Sequence, residues 1–262
     1  MKPSKYLLAI DIGNTNVSMG LFQRGMNRPL HHAHFLTQKA MTHDDWMVRY
    51  EVLRKRWGLR ENEKEEVVIA SVVPEVNYEM GHLFEKYYEI LPRFLRTADV
   101  PLEIHYDYPY EIGIDRLVNV YAVAREYPSR DAIVVDFGTA TTIDILSDGK
   151  AYEGGVIIPG MITSLRALTE RASKLPHIDL SLPPTVVTKN TIDGIRSGIL
   201  HGHGAMIDEL VRRITAELQW ENPLVIATGG LAKLVQQSSH RIDLVDTHLM
   251  LKGIYYLWMA HA

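Results

Sequence analysis

One pattern occurs twice in this chain and restricts its fold more than any other feature. In residues 132–146 (AIVVDFGTATTIDIL), four apolar residues run into Asp136. A Phe-Gly-Thr-Ala turn follows, and then Thr141, Thr142, Ile143 and Asp144. The apolar run is short, β-branched and sharply ended, which predicts a buried strand. Gly138 permits a tight turn and lets the backbone approach a ligand closely. Residues 6–22 repeat the pattern: YLLAI leads into Asp11-Ile12-Gly13-Asn14-Thr15, and a second strand runs through Val17 to Phe22. A carboxylate at a strand end, beside Gly and Thr, can meet phosphate oxygens or a cation. Two such hairpins predict two similar half-molecules with a nucleotide between them.

The rest of the chain follows the same rhythm. After the first hairpin the pattern predicts a strand over 30–37 and a helix over 44–57, capped by Thr42 and ended by Gly58. A strand over 66–73, a helix over 75–90 opened by Pro74, and a short strand over 93–97 complete the first segment. Residues 99–112, rich in Tyr and Pro, read as an irregular connection. The second segment begins with a helix over 113–126. The strands of the second hairpin and one over 151–159 follow, then a helix over 161–173 with Leu165, Leu168 and Ala172 inward. A proline-bearing loop spans 175–188. A long helical stretch over 190–218 is expected to break near Gly202–Gly204. Strands over 224–227 and 242–245 alternate with helices over 231–237 and 248–259. The expectation is an α/β fold with an internal duplication, divided into residues 1–112 and 113–262.

Composition narrows the class. A length of 262 residues supports a sizeable core. The net charge of −4 leaves no electrostatic footprint for nucleic acid. The densest charge run, residues 61–66, reads as a solvated loop. The chain has no cysteine, which removes disulfides, thiolate zinc sites and thiol catalysis and suits a cytoplasmic protein. The first residues, MKPSKYLLAIDIG, hold too short an apolar run for a signal peptide or a membrane span. The twelve histidines form no His-Glu-x-x-His pattern and read as structural or surface groups. Tyr255, Tyr256 and Trp258 read as helix packing.

The two hairpins resemble the phosphate motifs of the actin-like ATPase superfamily, in which two ribonuclease-H-like halves face a nucleotide cleft. Six blocks narrow the likeness: DIGNTNVSMG from Asp11, GIDR from Gly113, DFGTATTID from Asp136, GGVIIPG from Gly154, NTIDGIRSGILHG from Asn190 and ATGGLA from Ala227. Together they resemble type III pantothenate kinase over nearly the whole chain. The resemblance implies transfer of the ATP γ-phosphoryl group to pantothenate, the first step toward coenzyme A. It also implies a monovalent cation (potassium or ammonium), magnesium with ATP, and a homodimer.

Residue by residue, the resemblance makes Asp11, Ile12, Gly13, Asn14, Thr15, Asn16, Val17 and Ser18 an ATP-binding loop. Backbone amides and the Asn14 and Thr15 side chains can cradle phosphates, and Asp11 can hold magnesium directly or through water. Thr139 becomes a phosphate contact and Asp136 a ligand of the monovalent cation; Asp144 reads as a strand residue. Asp115 becomes the general base, and Gly113, Ile114, Asp115 and Arg116 contact pantothenate. The plainer reading of Asp115 is first-turn dipole complementarity, and that of Arg116 a surface helix residue. Tyr106 matches a tyrosine of the pantothenate pocket, with Tyr108 and Tyr110 as close rivals. Thr191 matches a substrate contact near the neighbouring subunit, or is only part of a cap with Asn190. Gly229-Gly230 resembles the adenosine motif, or is a simple strand-to-helix turn.

Two other functions compete with this one. An actin-like fold also serves nucleotide-gated switches, and homologues have been described as accessory factors for gene regulation. A kinase for another small hydroxylated metabolite is the third reading. Asp115 separates the first two, because a switch needs no hydroxyl-activating carboxylate.

Overall fold

Strand β1 (Tyr6–Ile12) begins an ordered series in which residues 4–60, 63–171 and 178–261 are described by a computed structural model. The series continues with β2 (Asn16–Gln23), β3 (His31–Leu36), α1 (His43–Arg56), β4 (Glu65–Ser71), α2 (Pro74–Tyr88) and β5 (Arg93–Phe94). Then come β6 (Glu103–Ile104), α3 (Ile114–Glu126), β7 (Ala132–Phe137), β8 (Ala140–Ser147), β9 (Ala151–Pro159) and α4 (Met161–Arg171). The last elements are α5 (Thr191–Glu217), β10 (Leu224–Thr228), α6 (Ala232–Val235), β11 (Leu244–Val245) and α7 (Leu249–Ala260). Several expectations fall partly outside the described residues: the N-terminal three residues, the start of the 61–66 charge run, the end of the helix over 161–173 with Ala172, and the start of the loop over 175–188.

Among the described residues the first sheet has the order β3-β2-β1-β4-β5 and the second β11-β10-β7-β8-β9-β6. Without its edge strand β6, the second order is the first repeated. β1 and β2 are antiparallel, as are β7 and β8; β1 runs parallel to β4 as β7 does to β10. The duplicated hairpin is therefore the centre of a duplicated sheet, the arrangement of the actin-like ATPase and sugar kinase fold.

Alternation sorts the side chains of β1. Leu8, Ile10 and Ile12 pack with Trp46 and Tyr50 of α1 and with Met80, Leu83 and Phe84 of α2. Each fully buried aliphatic side chain there contributes about 1.5–3 kcal/mol. Helix α7 packs on β1, β2 and β4, where Tyr255 stacks on Phe22 at 5.1 Å. A Cβ on Gly253 would lie 2.3 Å from the Val118 carbonyl, so α7 and α3 meet backbone to backbone. Helix α1 starts as its sequence demands: Thr42 accepts from the Asp45 amide, and the Asp45 side chain accepts from the Thr42 amide. Such a cap is worth about 1 kcal/mol.

Three expectations need correction. The two compact units are not the sequential halves 1–112 and 113–262. One comprises Met1–Leu102, Asp107–Arg125 and His248–Ala262; the other comprises Glu103–Tyr106 and Glu126–Thr247. The last helix returns to the first sheet because its apolar face is complementary to that of β1 and β2. The stretch 99–112 is not wholly irregular, since β6 pairs in parallel with β9. Helix α5 runs unbroken through its glycines. Gly204 is there for contact: a Cβ would fall 2.4 Å from the Ser238 carbonyl.

Candidate active site

In the first unit, Asp11 stands one residue from the end of β1, opposite Ser18 of β2, and residues 13–15 make the turn. The Gly13 amide donates to the Asn16 carbonyl at 2.9 Å and closes it. Ile12 and Val17 bury their side chains in the core, so they can offer a ligand only backbone. Asn14, Thr15 and Asn16 are exposed. The Ser18 hydroxyl is 3.0 Å from His34 Nδ1 on the neighbouring strand.

The Gly113–Arg116 motif lies at the same edge. Val72 connects the two: its amide donates to the Ile12 carbonyl at 3.0 Å, and its side chain lies 3.8 Å from where a Gly113 Cβ would be. That hypothetical Cβ would also lie 2.4 Å from Asp115 Oδ1. Glycine at 113 is thus what leaves room for the Asp115 carboxylate. Asp115 opens α3, half-buried, and accepts from the Arg116 amide at 2.9 Å. Burial pushes its pKa above the ordinary aspartate value, against the pull of the Arg116 amide and charge. A role limited to helix-dipole complementarity predicts a lowered pKa, so desolvation wins here. A raised pKa makes the carboxylate a stronger base. Arg116 is buried at 7% exposure and is not a surface helix residue.

In the second unit, Asp136 stands one residue from the end of β7, paired with Thr142 of β8 and Thr228 of β10. Gly229 follows Thr228 with φ +91°, a conformation glycine alone adopts easily. A Cβ there would sit 2.6 Å from Asp136 Oδ1 and 2.7 Å from the Phe137 carbonyl. The Gly229-Gly230 motif is therefore pressed against the carboxylate, a link that spacing along the chain does not reveal. Thr139 is exposed in the turn between β7 and β8. Asp144 is a buried strand residue, accepting from the Tyr152 hydroxyl at 2.9 Å and from Thr142 at 3.0 Å.

Of the three rival tyrosines, Tyr106 is the anchored one. Its ring lies 3.5 Å from where a Gly154 Cβ would be and 6.1 Å from the Tyr152 ring. Tyr108 and Tyr110, in the first unit, are 54% and 78% exposed. Thr191 is exposed in the first turn of α5, after Asn190, whose side chain caps that helix by accepting from the Asp193 amide. His32 meets His34 and His248 ring to ring, and among the described residues no group of three or more His, Asp or Glu is arranged to hold a metal. Among the described residues no helix is long and apolar enough to cross a membrane.

Comparison with known proteins adds three findings. A family model described as type III pantothenate kinase matches residues 7–213. A curated type III pantothenate kinase from Halalkalibacterium halodurans is 41% identical over 253 residues, covering 96% of this chain and 98% of that protein. Among solved structures, a conserved Campylobacter jejuni protein described as a Baf family transcriptional activator aligns with TM-score 0.59 and 19% identity over 97% of this chain and 98% of its own. A Sinorhizobium meliloti protein described as a 2-dehydro-3-deoxygalactonokinase aligns with TM-score 0.60 and 12% identity over 97% and 96%. At these identities the two structures report fold alone.

Proposed function

The chain belongs to the type III pantothenate kinase family, and on that premise we propose which of its residues carry out the phosphorylation of pantothenate by ATP. The enzyme catalyses the first step of coenzyme A biosynthesis. In the reaction the pantothenate hydroxyl oxygen bonds to the γ-phosphorus, the bond from that phosphorus to the β,γ-bridging oxygen breaks, and ADP leaves. The hydroxyl proton must go to a base. Asp115 receives it, and the observation that carries this assignment is the glycine-made space at residue 113 beside a half-buried carboxylate of raised pKa.

The remaining roles are those the family resemblance implies, and they suit the chemistry. Phosphoryl transfer depends mainly on positioning and charge neutralisation. The segment from Asp11 to Ser18 holds the phosphates through amides and the exposed Asn14, Thr15 and Asn16 side chains, and Asp11 would hold magnesium directly or through water. Thr139 adds a phosphate contact. Arg116 supplies positive charge for the anionic substrate, and Gly113, Ile114, Tyr106 and Thr191 are the further substrate contacts that the family resemblance implies.

Asp136 serves a monovalent cation, potassium or ammonium. The fit rests on the Gly229 cradle, where a carboxylate oxygen and the Phe137 carbonyl converge on space that a Cβ would fill. One carboxylate with carbonyls is a donor set for a hard cation of low charge. When bound, that ion offsets phosphate charge. We further propose a homodimer in the cytoplasm. Exposed Val186 and Val187, shortly before Thr191, support a covered surface there, and the cysteine-free chain suits a reducing compartment.

A coupled ADP-release assay tests the reading. ADP release should require pantothenate and rise with potassium. Nucleotide turnover indifferent to pantothenate would favour a switch protein or a kinase for another metabolite. Light scattering that gives a one-chain mass at assay concentration, with full activity, would remove the dimer.

A further inference from the structure

Each of the two Asp-x-Gly turns is held from behind by a threonine of a later element. In the first unit, Thr37 directly follows β3. Its amide donates to the Thr15 carbonyl at 2.8 Å, and its hydroxyl donates to the Gly13 carbonyl at 2.6 Å. In the second unit, Gly160 directly follows β9, the strand equivalent to β3, and its amide donates to the Thr139 carbonyl at 3.2 Å. The side chain at this position is missing for a steric reason: a Cβ would lie 2.5 Å from the Gly138 and Thr139 carbonyls. The hydroxyl comes instead from Thr163, one turn into the chain beyond, donating to the Thr139 carbonyl at 2.7 Å.

We infer that Thr37 and Thr163 are positioning residues that latch the two turns for ATP, an assignment that rests on reading the turns as phosphate-holding. A peptide group is planar and trans, so its carbonyl and amide point in opposite directions. Tying the Gly13 carbonyl back aims the Asn14 amide the other way, as an anion-binding nest requires. Tying the Thr139 carbonyl fixes the main chain that carries the exposed Thr139 hydroxyl. The amide bond recurs at equivalent places in both units, whereas the hydroxyl holds the Gly13 carbonyl in the first turn and the Thr139 carbonyl in the second.

The test compares Thr37→Val and Thr163→Val with Thr37→Ser and Thr163→Ser, and with Asn14→Ala and Thr139→Val on the turns themselves. Loss of one such hydrogen bond corresponds to a change of up to about tenfold. Each latch variant to valine should raise KM for ATP several-fold toward that limit, leave KM for pantothenate within about twofold, and be restored by serine. If a valine variant folds poorly, Thr37→Ala against Thr37→Ser reads the same hydroxyl without the added methyl. Raised ATP KM in the turn variants with unchanged ATP KM in the valine variants would overturn the latch alone. Silent turn variants would overturn the phosphate reading and the latch with it. A lower melting temperature and active fraction, with both KM values unchanged, would make the threonines merely structural and also overturn the proposal.

Discussion

The two Asp-x-Gly turns occupy the same place in the same sheet order but are built differently. The first needs four intervening residues between Asp11 and β2 at Asn16; the second needs three between Asp136 and β8 at Ala140. The extra residue lets the first turn display Asn14, Thr15 and Asn16, whereas the second displays Thr139. The turn glycines are alike, since a Cβ on Gly138 would lie 3.4 Å from the Ala140 carbonyl, but what packs on the turns differs. A Cβ on Gly13 would meet only the Asn16 carbonyl, at 3.3 Å. The second turn is crowded by Gly229, at 2.6 Å from the Asp136 carboxylate by the same measure. A duplicated scaffold has thus diverged at its turns: one copy displays exposed polar side chains, and the other gathers oxygen atoms around an acidic group. The first unit additionally carries Asp115 at the edge where its turn lies.

That division places the largest expected effect in the first unit. Asp115→Asn keeps size and most hydrogen bonding but removes the basic oxygen. General-base contributions run to about 10²–10⁴-fold, and a loose phosphoryl-transfer transition state favours the lower end, so kcat should fall by roughly 10²-fold. Pantothenate affinity should change much less. Because the folded-state pKa is raised by burial, the ionised carboxylate costs stability at neutral pH. The stability associated with the protonated form is fully present below the unfolded-state pKa and is lost as pH rises through the raised folded value. Asp115→Asn should therefore melt no lower than wild type at neutral pH, and the acid limb of kcat/KM should lie above the ordinary aspartate range. A folded variant working at the wild-type rate would remove Asp115 from the chemistry and leave the contrast between the units resting on the turns.

In the second unit the expected losses are smaller and tied to the cation. Asp136→Asn removes the charge that offsets the ion, so several-fold more potassium should be needed for half-maximal activation, with turnover partly recovered at high potassium. Unchanged potassium dependence at full turnover would mark Asp136 as a structural residue. Gly229→Ala should be worse tolerated than its size suggests. It adds a left-handed alanine, costing about 1–2 kcal/mol, and pushes a methyl into the Asp136 carboxylate and the Phe137 carbonyl. Thermal melts and potassium titrations of this variant should both move; a silent Gly229→Ala would break the link between the two motifs.

Much of this scaffold was legible in the chain. The repeated strand, turn and strand predicted the duplicated sheet, and the Thr42 cap marked where α1 begins. The misses have physical causes. Glycine was read as a breaker in α5, but Gly204 faces the Ser238 carbonyl, and only tertiary contact distinguishes the two uses. Helix α7 belongs with the first sheet although more than a hundred residues separate it in sequence from that sheet's last strand, and hydropathy cannot assign a partner to an apolar face. At the candidate site, the repeated pattern marked the two turns, and the family resemblance marked Gly113–Arg116 and Gly229-Gly230. Both left unread the proximity of Gly229 to Asp136 and the roles of Thr37 and Thr163. Thr37 and Gly160 correspond only through the sheet register, in which Leu36 pairs with Asn16 and Pro159 with Ala140; counted along the chain from the two turns they fall out of step, so spacing could not show the missing hydroxyl.

The smallest expected effect sharpens the comparison from its other side. Gly13 has no positive φ, and a Cβ there would have one neighbour, the Asn16 carbonyl, closer than ordinary contact but within a few tenths of an ångström of it. Replacing glycine by alanine also reduces the freedom of the unfolded chain, which stabilises by about 0.4–1 kcal/mol where the native conformation suits alanine. The crowding and the entropy gain oppose each other. Gly13→Ala should therefore change stability by less than about 1 kcal/mol, which for a chain of this size is a melting shift of no more than about 2–4 °C. Gly229→Ala, measured in the same buffer, should lose more. If the two variants fall equally, glycine is needed at 13 as much as at 229, and the contrast in crowding around the two turns disappears. If Gly13→Ala melts normally but loses ATP affinity, the turn has the room for a methyl and the bound phosphate does not. That result would separate what the first turn needs for folding from what it needs for its ligand.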